Sequence, residues 1–78
     1  MKKLEEIIAE VMGVSVDEIN NNTSPDNLEE WDSFNGLMLV SELEGVYGLK
    51  FTTEEVTSVK SVRDIKSVLK RHGIEVES

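Results

Sequence analysis

The residues best suited to carry chemistry lie in one short stretch, Glu30-Trp31-Asp32-Ser33-Phe34. Asp32 is a good helix N-cap, because its carboxylate can accept a hydrogen bond from a free amide of the first helical turn. Ser33 would then stand at the first helical position, where free N–H groups and the positive end of the helix dipole favour a phosphate on its oxygen. The stretch therefore predicts either a serine that carries a phosphate group or an ordinary Asp-Ser helix start.

The rest of the chain does not indicate catalysis of its own. His72 is the only histidine and there is no cysteine, so neither a Ser-His-Asp arrangement nor a nitrogen and sulfur metal site is supported. Near the end of the last predicted helix, the His72 side chain is expected to cap the terminal carbonyls. The acids from Asp26 to Asp32 do not follow the spacing of a calcium-binding loop. We expect them to form a solvated acidic surface.

A chain of 78 residues forms one domain, and it buries only about 60% of the surface that unfolding exposes, so an enclosed active site would be hard to build. The formal net charge is -8, and between Leu4 and Leu49 there are eleven acids and no lysine or arginine. Such a surface repels nucleic acid and anionic lipid, and favours basic patches on partner proteins. Solubility alone is the other explanation of this charge.

The expected cellular location of the protein follows from features that the sequence lacks. The absence of cysteine fits a reducing cytosol. Glu5, Glu6 and Glu10 interrupt the apolar run that a signal peptide needs, and no apolar stretch is long enough to span a membrane. We therefore expect a cytoplasmic monomer without membrane insertion. The extent of the chain around one domain favours a free-standing protein.

Hydrophobic periodicity predicts an all-α fold, a small four-helix bundle of three main helices and one short helix. The predicted helices cover residues 2–12, 33–47, 53–58 and 62–71. A long loop over residues 15–30 joins the first two helices and contains one helical turn at 16–19. Residues 1–74 are expected to form the single domain, and residues 75–78 a loose tail.

The second helix must position Ser33, and its apolar spacing predicts which face is buried. The predicted core face consists of Phe34, Leu37, Val40, Leu43 and Tyr47, broadened by Leu39 and Val46. The opposite face carries Asn35, Met38, Glu42 and Gly45, and Asn35, Met38 and Glu42 are the candidate partner-binding residues. Val16, Ile19, Leu28 and Trp31 are expected to anchor the loop. Gly36 and Gly45 mark either close approaches or tolerated defects.

The triplet Asp32-Ser33-Phe34, followed by a helix that ends Glu42-Leu43-Glu44-Gly45-Val46-Tyr47-Gly48-Leu49-Lys50-Phe51, resembles the acyl carrier protein family. The hallmark of that family is Asp-Ser-Leu at the start of the second helix, with 4′-phosphopantetheine on the serine. The likeness covers almost the whole chain, as far as the Thr53-Glu54-Glu55 start of the third helix. It implies phosphopantetheine on Ser33, recognition of Asp32 by a magnesium-dependent pantetheinyl transferase, and Phe34 in the place of the family's leucine.

The resemblance also implies a carrier that is not itself an enzyme. The thiol of the arm would supply the nucleophile that this chain lacks, and acyl-loading and acyl-transferring enzymes with basic patches would use it. Asn35, Gly36 and Met38 stand where fatty-acid-synthesis carriers usually have acids, and the stretch from Leu28 to Ser33 is similar to stand-alone carriers of specialised pathways. Phe34, Tyr47 and Phe51 are expected to fill the bundle, which favours short or polar cargo. An unmodified acidic interaction domain is the alternative.

Overall fold

The protein was analysed as a computed structural model, which describes residues 3–76. Its helices are α1 (Leu4–Met12), α2 (Ser33–Tyr47), α3 (Thr53–Ser58) and α4 (Val62–Arg71), with a 3₁₀ turn at Val16–Glu18. No strand occurs within these residues. The predicted all-α fold is therefore confirmed. Residue 2 of the predicted first helix lies outside the described residues.

Local sequence sets the helix ends. At the end of α1, Gly13 adopts a left-handed φ of 73°, and the amides of Gly13 and Val14 both donate to the carbonyl of Ala9, at 2.8 and 3.0 Å. This is the hydrogen-bonding pattern of a glycine C-cap. The short α3 begins with the predicted capping box, in which Thr52 and Glu55 each accept the other's backbone N–H. Caps of this kind depend on neighbouring residues, so the sequence predicts them well.

The core is built from the long helices and the loop. The buried apolar cluster contains Leu4, Ile7, Ile8, Ala9 and Met12 of α1, Ile19, Leu28 and Trp31 of the loop, Leu39 and Leu43 of α2, and Val62, Ile65 and Leu69 of α4. The short α3 buries none of its residues. Consequently α3 depends on its capping bonds and edge contacts, whereas the other three helices are held by apolar packing.

The loop between α1 and α2 is fixed to the bundle by polar as well as apolar contacts. Thr23 is buried, and its hydroxyl accepts from the amide of Asn20 at 2.9 Å and donates to the carbonyl of Glu18 at 3.2 Å. Its carbonyl accepts from the amide of Val62 at 2.9 Å, which joins the loop to the start of α4. The predicted anchoring by Val16 is wrong, because the 3₁₀ turn leaves that side chain 43% exposed.

The buried face of α2 differs from the prediction. Leu39 and Leu43 are buried, whereas Phe34 and Leu37, both assigned to the core, are 69% and 63% exposed. Apolar residues surround most of α2, so spacing alone could not identify the side that packs on α1. Tyr47 is half-buried at the far end, where burial, followed by the negative charge of Glu5, raises the pKa of its hydroxyl.

The segment after α4 turns back onto the bundle. Ile74 and Val76 are half-buried and pack against the core. Residues 77 and 78 of the expected loose tail lie outside the described residues, so the domain boundary at residue 74 stays a prediction. Among residues 3–76, no helix is both long enough and apolar enough to cross a membrane.

Candidate functional site

The first turn of α2 presents Ser33 to solvent. Asp32 caps the helix as predicted: its Oδ1 accepts from the amide of Asn35 at 2.8 Å, and its carbonyl accepts from the amide of Gly36 at 2.8 Å. Within residues 3–76, the amides of Ser33 and Phe34 have no acceptor, as expected for the first positions of a helix. Two free N–H groups and the positive end of the helix dipole thus lie next to an exposed hydroxyl.

The hydroxyl of Ser33 differs from those of most other serines in the described part of the chain. Ser15, Ser24 and Ser61 accept backbone amides in caps or turns. Ser58 and Ser67 donate to helix carbonyls. Among residues 3–76, Ser33 and Ser41 are the two serines whose hydroxyl neither donates nor accepts a hydrogen bond, and Ser41 lies in the middle of α2. Ser33 is therefore the free hydroxyl that stands at a helix start.

The loop that precedes Ser33 is attached to the first turn of α2. The side-chain amide of Asn35 donates to the carbonyl of Glu30 at 2.7 Å, which ties the loop to the first turn of α2. Trp31 is buried against Gly36, where an added Cβ would lie 3.5 Å from the indole Nε1. This is an ordinary van der Waals distance, so the packing does not exclude a side chain at Gly36, and Gly36 does not mark a close approach that requires glycine. Gly45 has no neighbouring atom within 4 Å of such a Cβ, so it is a tolerated glycine.

A cavity of about 620 Å³ opens beside Ser33. Its lining residues are Pro25, Glu29, Trp31, Asp32, Ser33, Gly36, Leu37, Leu39, Val40, Leu43, Phe51, Val56, Val59 and Ile65. The space lies between α2, α3 and α4, and its volume is within the range of small-molecule pockets. The prediction that Phe34, Tyr47 and Phe51 fill the bundle fails for Phe34, which is exposed, and Tyr47 does not line the cavity.

The predicted partner-binding residues follow Ser33 along α2. Met38 is 51% exposed and Glu42 is also exposed, whereas Asn35 is half-buried and bonded within the chain. Phe34 and Leu37 join Met38 on the solvent side, which the sequence prediction missed. We call these three residues, Phe34, Leu37 and Met38, the α2 platform. Within residues 3–76, no three acidic or histidine side chains are grouped to hold a metal ion.

His72 has a different partner from the one predicted. Its backbone amide, not its imidazole, caps α4 by donating to the carbonyls of Val68 and Leu69 at 3.2 and 3.1 Å. The imidazole Nε2 lies 3.1 Å from both carboxylate oxygens of Glu55 on α3. The backbone N–H of Thr52, and then the hydrogen bond with His72, lower the pKa of Glu55. This pair fixes α3, which forms one wall of the cavity, to the end of α4.

Comparison with known protein families gives a match over most of the chain. The family model described as "Phosphopantetheine attachment site" matches residues 2–69, a range that contains Ser33 and extends from the N-terminus into α4. No curated protein matches the chain.

Proposed function

Because the chain belongs to the phosphopantetheine attachment site family, whose cofactor is covalently bound 4′-phosphopantetheine, we propose that Ser33 is the residue that carries this group. The protein then holds acyl or aminoacyl intermediates as thioesters on the arm and delivers them to partner enzymes. It acts as a carrier and has no catalytic residues of its own. The observation that carries the proposal is the exposed, unbonded hydroxyl of Ser33 at the start of α2.

The residues around Ser33 suit a phosphodiester. The free amides of Ser33 and Phe34, together with the helix dipole, stabilise a negative charge at this position. Asp32 keeps its cap while the phosphate is in place, since its carboxylate is bonded to Asn35, two residues beyond Ser33. The bound arm supplies a thiol, which a chain without cysteine cannot provide. The fixed loop keeps the attachment point exposed to the enzymes that load the arm.

The cavity beside Ser33 offers space for the apolar part of a cargo. Its inner wall includes Leu39, Leu43 and Ile65, which are buried core residues. Burial of each methylene of an acyl chain there would stabilise the loaded carrier by about 0.8 kcal/mol. Because Phe34 does not occupy this space, the reason for expecting short or polar cargo is weakened.

We place this carrier in a specialised biosynthetic pathway of the cytoplasm. No acid occurs between Ser33 and Ser41, so a synthase that reads acidic side chains just after the serine has little to bind. We therefore expect slower transfer by the malonyl-transfer and condensing enzymes of general fatty acid synthesis than with a housekeeping carrier. Equal rates with the two carriers would argue against a specialised role.

The direct test is modification by a promiscuous pantetheinyl transferase with magnesium and coenzyme A. Intact mass and peptide mapping should show one phosphopantetheine on Ser33, and none on Ser33→Ala. Ser41→Ala is the matched control, because Ser41 is also exposed on α2 without a hydroxyl hydrogen bond, and it should be modified like the wild type. Circular dichroism should show that both variants are folded, since an exposed serine contributes little packing.

Failure of the folded wild-type protein to gain this mass would contradict the proposal. The alternative in that case is an unmodified acidic domain that docks on a basic partner surface. Modification of Ser33→Ala would instead show that the attachment point has been placed on the wrong residue.

A further inference from the structure

We propose that the indole N–H of Trp31 binds the arm carried by Ser33, by donating a hydrogen bond to an amide carbonyl of the 4′-phosphopantetheine. The inference rests on the proposed function, because it assigns a second residue of this chain to the same covalent group. It gives the tryptophan a ligand-binding role in addition to its place in the core. Burial, polarity and position each support it.

The indole nitrogen of Trp31 is the first support. Trp31 is only 4% exposed, yet its Nε1 has no hydrogen-bond acceptor in the chain. Among residues 3–76, no side-chain nitrogen or oxygen that is closed off from solvent lacks a partner, so this N–H must border open space. The open space that Trp31 lines is the cavity beside Ser33. A buried tryptophan usually pairs its N–H, and the cavity is the side from which an acceptor can approach.

Gly36 leaves the approach to this nitrogen open. A Cβ at Gly36 would lie 3.5 Å from the Nε1 of Trp31 and 3.8 Å from its Cδ1, so a side chain there would cover the edge of the indole that carries the N–H. Both residues line the cavity. Glycine at this position therefore gives a ligand access to the donor, and its replacement by alanine blocks the N–H without removing the tryptophan.

The polarity of the lining identifies the acceptor. Glu29 and Asp32 contribute carboxylates, and no lysine, arginine or histidine within residues 3–76 lines the cavity. A neutral carbonyl is therefore favoured over a carboxylate, which these acids repel. The pantetheine part of the arm has two neutral amides and one hydroxyl, whereas its phosphate stays at the start of α2. One donor in a mostly apolar lining is the arrangement that fixes the orientation of such a ligand.

Position favours the arm over its cargo. Trp31 stands two residues before Ser33, and both line the cavity. The first amide of the arm is separated from the phosphate by only a few bonds, whereas the thioester lies at the far end. Leu37 of the α2 platform and Val40 also line the cavity, and their apolar side chains suit the two methyl groups that precede this amide. The near part of the arm is thus the better candidate for the contact.

The test follows the indole N–H itself by NMR, which gives one signal because Trp31 is the only tryptophan. The isotope-labelled protein is compared before and after the promiscuous pantetheinyl transferase installs the arm with magnesium and coenzyme A. In the modified protein we expect the indole proton to shift downfield. Its exchange with deuterium should slow by about threefold or more, as one net hydrogen bond would cause. Ser33→Asp supplies negative charge without an arm, and its indole exchange should stay close to that of the unmodified wild type.

Gly36→Ala and Gly45→Ala form a matched pair, because both replace a glycine of α2 but nothing lies within 4 Å of a Cβ at Gly45. The slowing of exchange on modification should be lost in Gly36→Ala and kept in Gly45→Ala. Trp31→Phe removes the donor and keeps an aromatic ring, so the first amide carbonyl of a carbon-labelled arm should return to the chemical shift of free coenzyme A. Circular dichroism establishes that each variant is folded, and Gly36→Ala keeps the test decisive where Trp31→Phe is unfolded.

Other results would overturn the inference. An indole signal that is the same in unmodified and modified protein would show that the arm does not reach Trp31. A signal that moves only when acetyl coenzyme A is the donor, so that the arm carries an acetyl thioester, would show that the cargo is the acceptor. An equal response in Gly36→Ala and wild type would place the contact elsewhere. Each of these leaves the carrier function standing, because Ser33 is modified in all of them, whereas absence of modification in the folded wild type would contradict both proposals.

Discussion

Asp32 combines a structural contact with a negative charge beside the proposed attachment point. Its Oδ1 accepts a hydrogen bond from the amide of Asn35, and we propose that a transferase recognises its negative charge. Asparagine caps a helix about as well as aspartate, whereas alanine costs about 1 kcal/mol. One pair of substitutions can therefore separate the two roles.

We predict that Asp32→Asn keeps the stability of the wild type but is modified more slowly on Ser33, because the cap survives and the charge does not. Asp32→Ala should be modified slowly and should also lose about 1 kcal/mol of unfolding free energy. Urea unfolding measures the stability, and the transferase reaction measures the modification. Wild-type modification of Asp32→Asn would mean that the carboxylate acts only as a cap.

For individual residues, the sequence predicted the features that depend on adjacent residues. The cap on Asp32 and the exposure of the helix start follow from residue types that are close in the chain. Phe34 and Leu37 were assigned to the wrong face, because the choice of buried side depends on how α2 meets α1. Their exposure is the main departure from the expected pattern, and residues that break such a pattern are often functional.

Among the helices, α3 has the weakest attachment, and this is a consequence of its composition. It buries no residue, so its position depends on the capping box and on the contact between Glu55 and His72. Val56 and Val59 line the cavity from this side. Loosening α3 would therefore open the cavity wall without removing any of the buried core.

The lowered pKa of Glu55 gives this attachment a pH dependence. A carboxyl whose pKa is lower in the folded than in the unfolded protein stabilises the fold above its unfolded pKa, and the stabilisation is lost as pH falls through the folded pKa. Glu55→Gln should thus be less stable than wild type near neutral pH. The difference should shrink below about pH 4.3, the ordinary glutamate value.

Thermal unfolding of both proteins across this acid range measures the effect. Glu54→Gln is the matched control, because it removes the same charge from α3, while the Glu54 carboxylate forms no hydrogen bond or salt bridge within residues 3–76. It should unfold close to the wild type at neutral pH. A constant difference between wild type and Glu55→Gln at every pH would show that the carboxylate charge does not hold α3.

The helix limits were predictable, whereas the contacts between helices were not. The start of α3 follows from Thr52 and Glu55, which are three residues apart. Glu55 and His72 are separated by 17 positions, and no local pattern indicates that they meet. The cavity has the same origin, since it depends on how α2, α3 and α4 pack and not on any one segment.

Over the whole molecule, the effect of the acidic charge depends on how far charges interact compared with the size of the fold. The chain carries a net charge of -8, and its radius of gyration is 11.2 Å. The Debye length is about 30 Å at about 0.01 M salt and about 3 Å at about 1 M. At low salt every acid therefore repels the others across the entire fold, while at high salt this repulsion is confined to close neighbours.

Attractive pairs oppose this effect. Lys66 on α4 lies 3.1 Å from Glu5 on α1, and it also donates to the Oδ1 of Asn21 at 2.6 Å. A salt bridge near the surface contributes about 0–1 kcal/mol, and salt weakens it. The repulsion among eleven acids that have no base between Leu4 and Leu49 involves many more pairs. Screening should therefore remove more repulsion than attraction, and salt should stabilise the fold.

We predict that Tm rises as sodium chloride increases from about 0.01 M to about 1 M. A gain of about 1 kcal/mol corresponds to about 4–8 °C for a domain of this size. Circular dichroism melts at fixed pH measure the change. Lys66→Gln supplies the control: without the attraction to Glu5, its Tm should start lower and rise by at least as much. A Tm that falls with salt in the wild type would mean that specific pairs, and not the overall acidic charge, dominate the electrostatics of this fold.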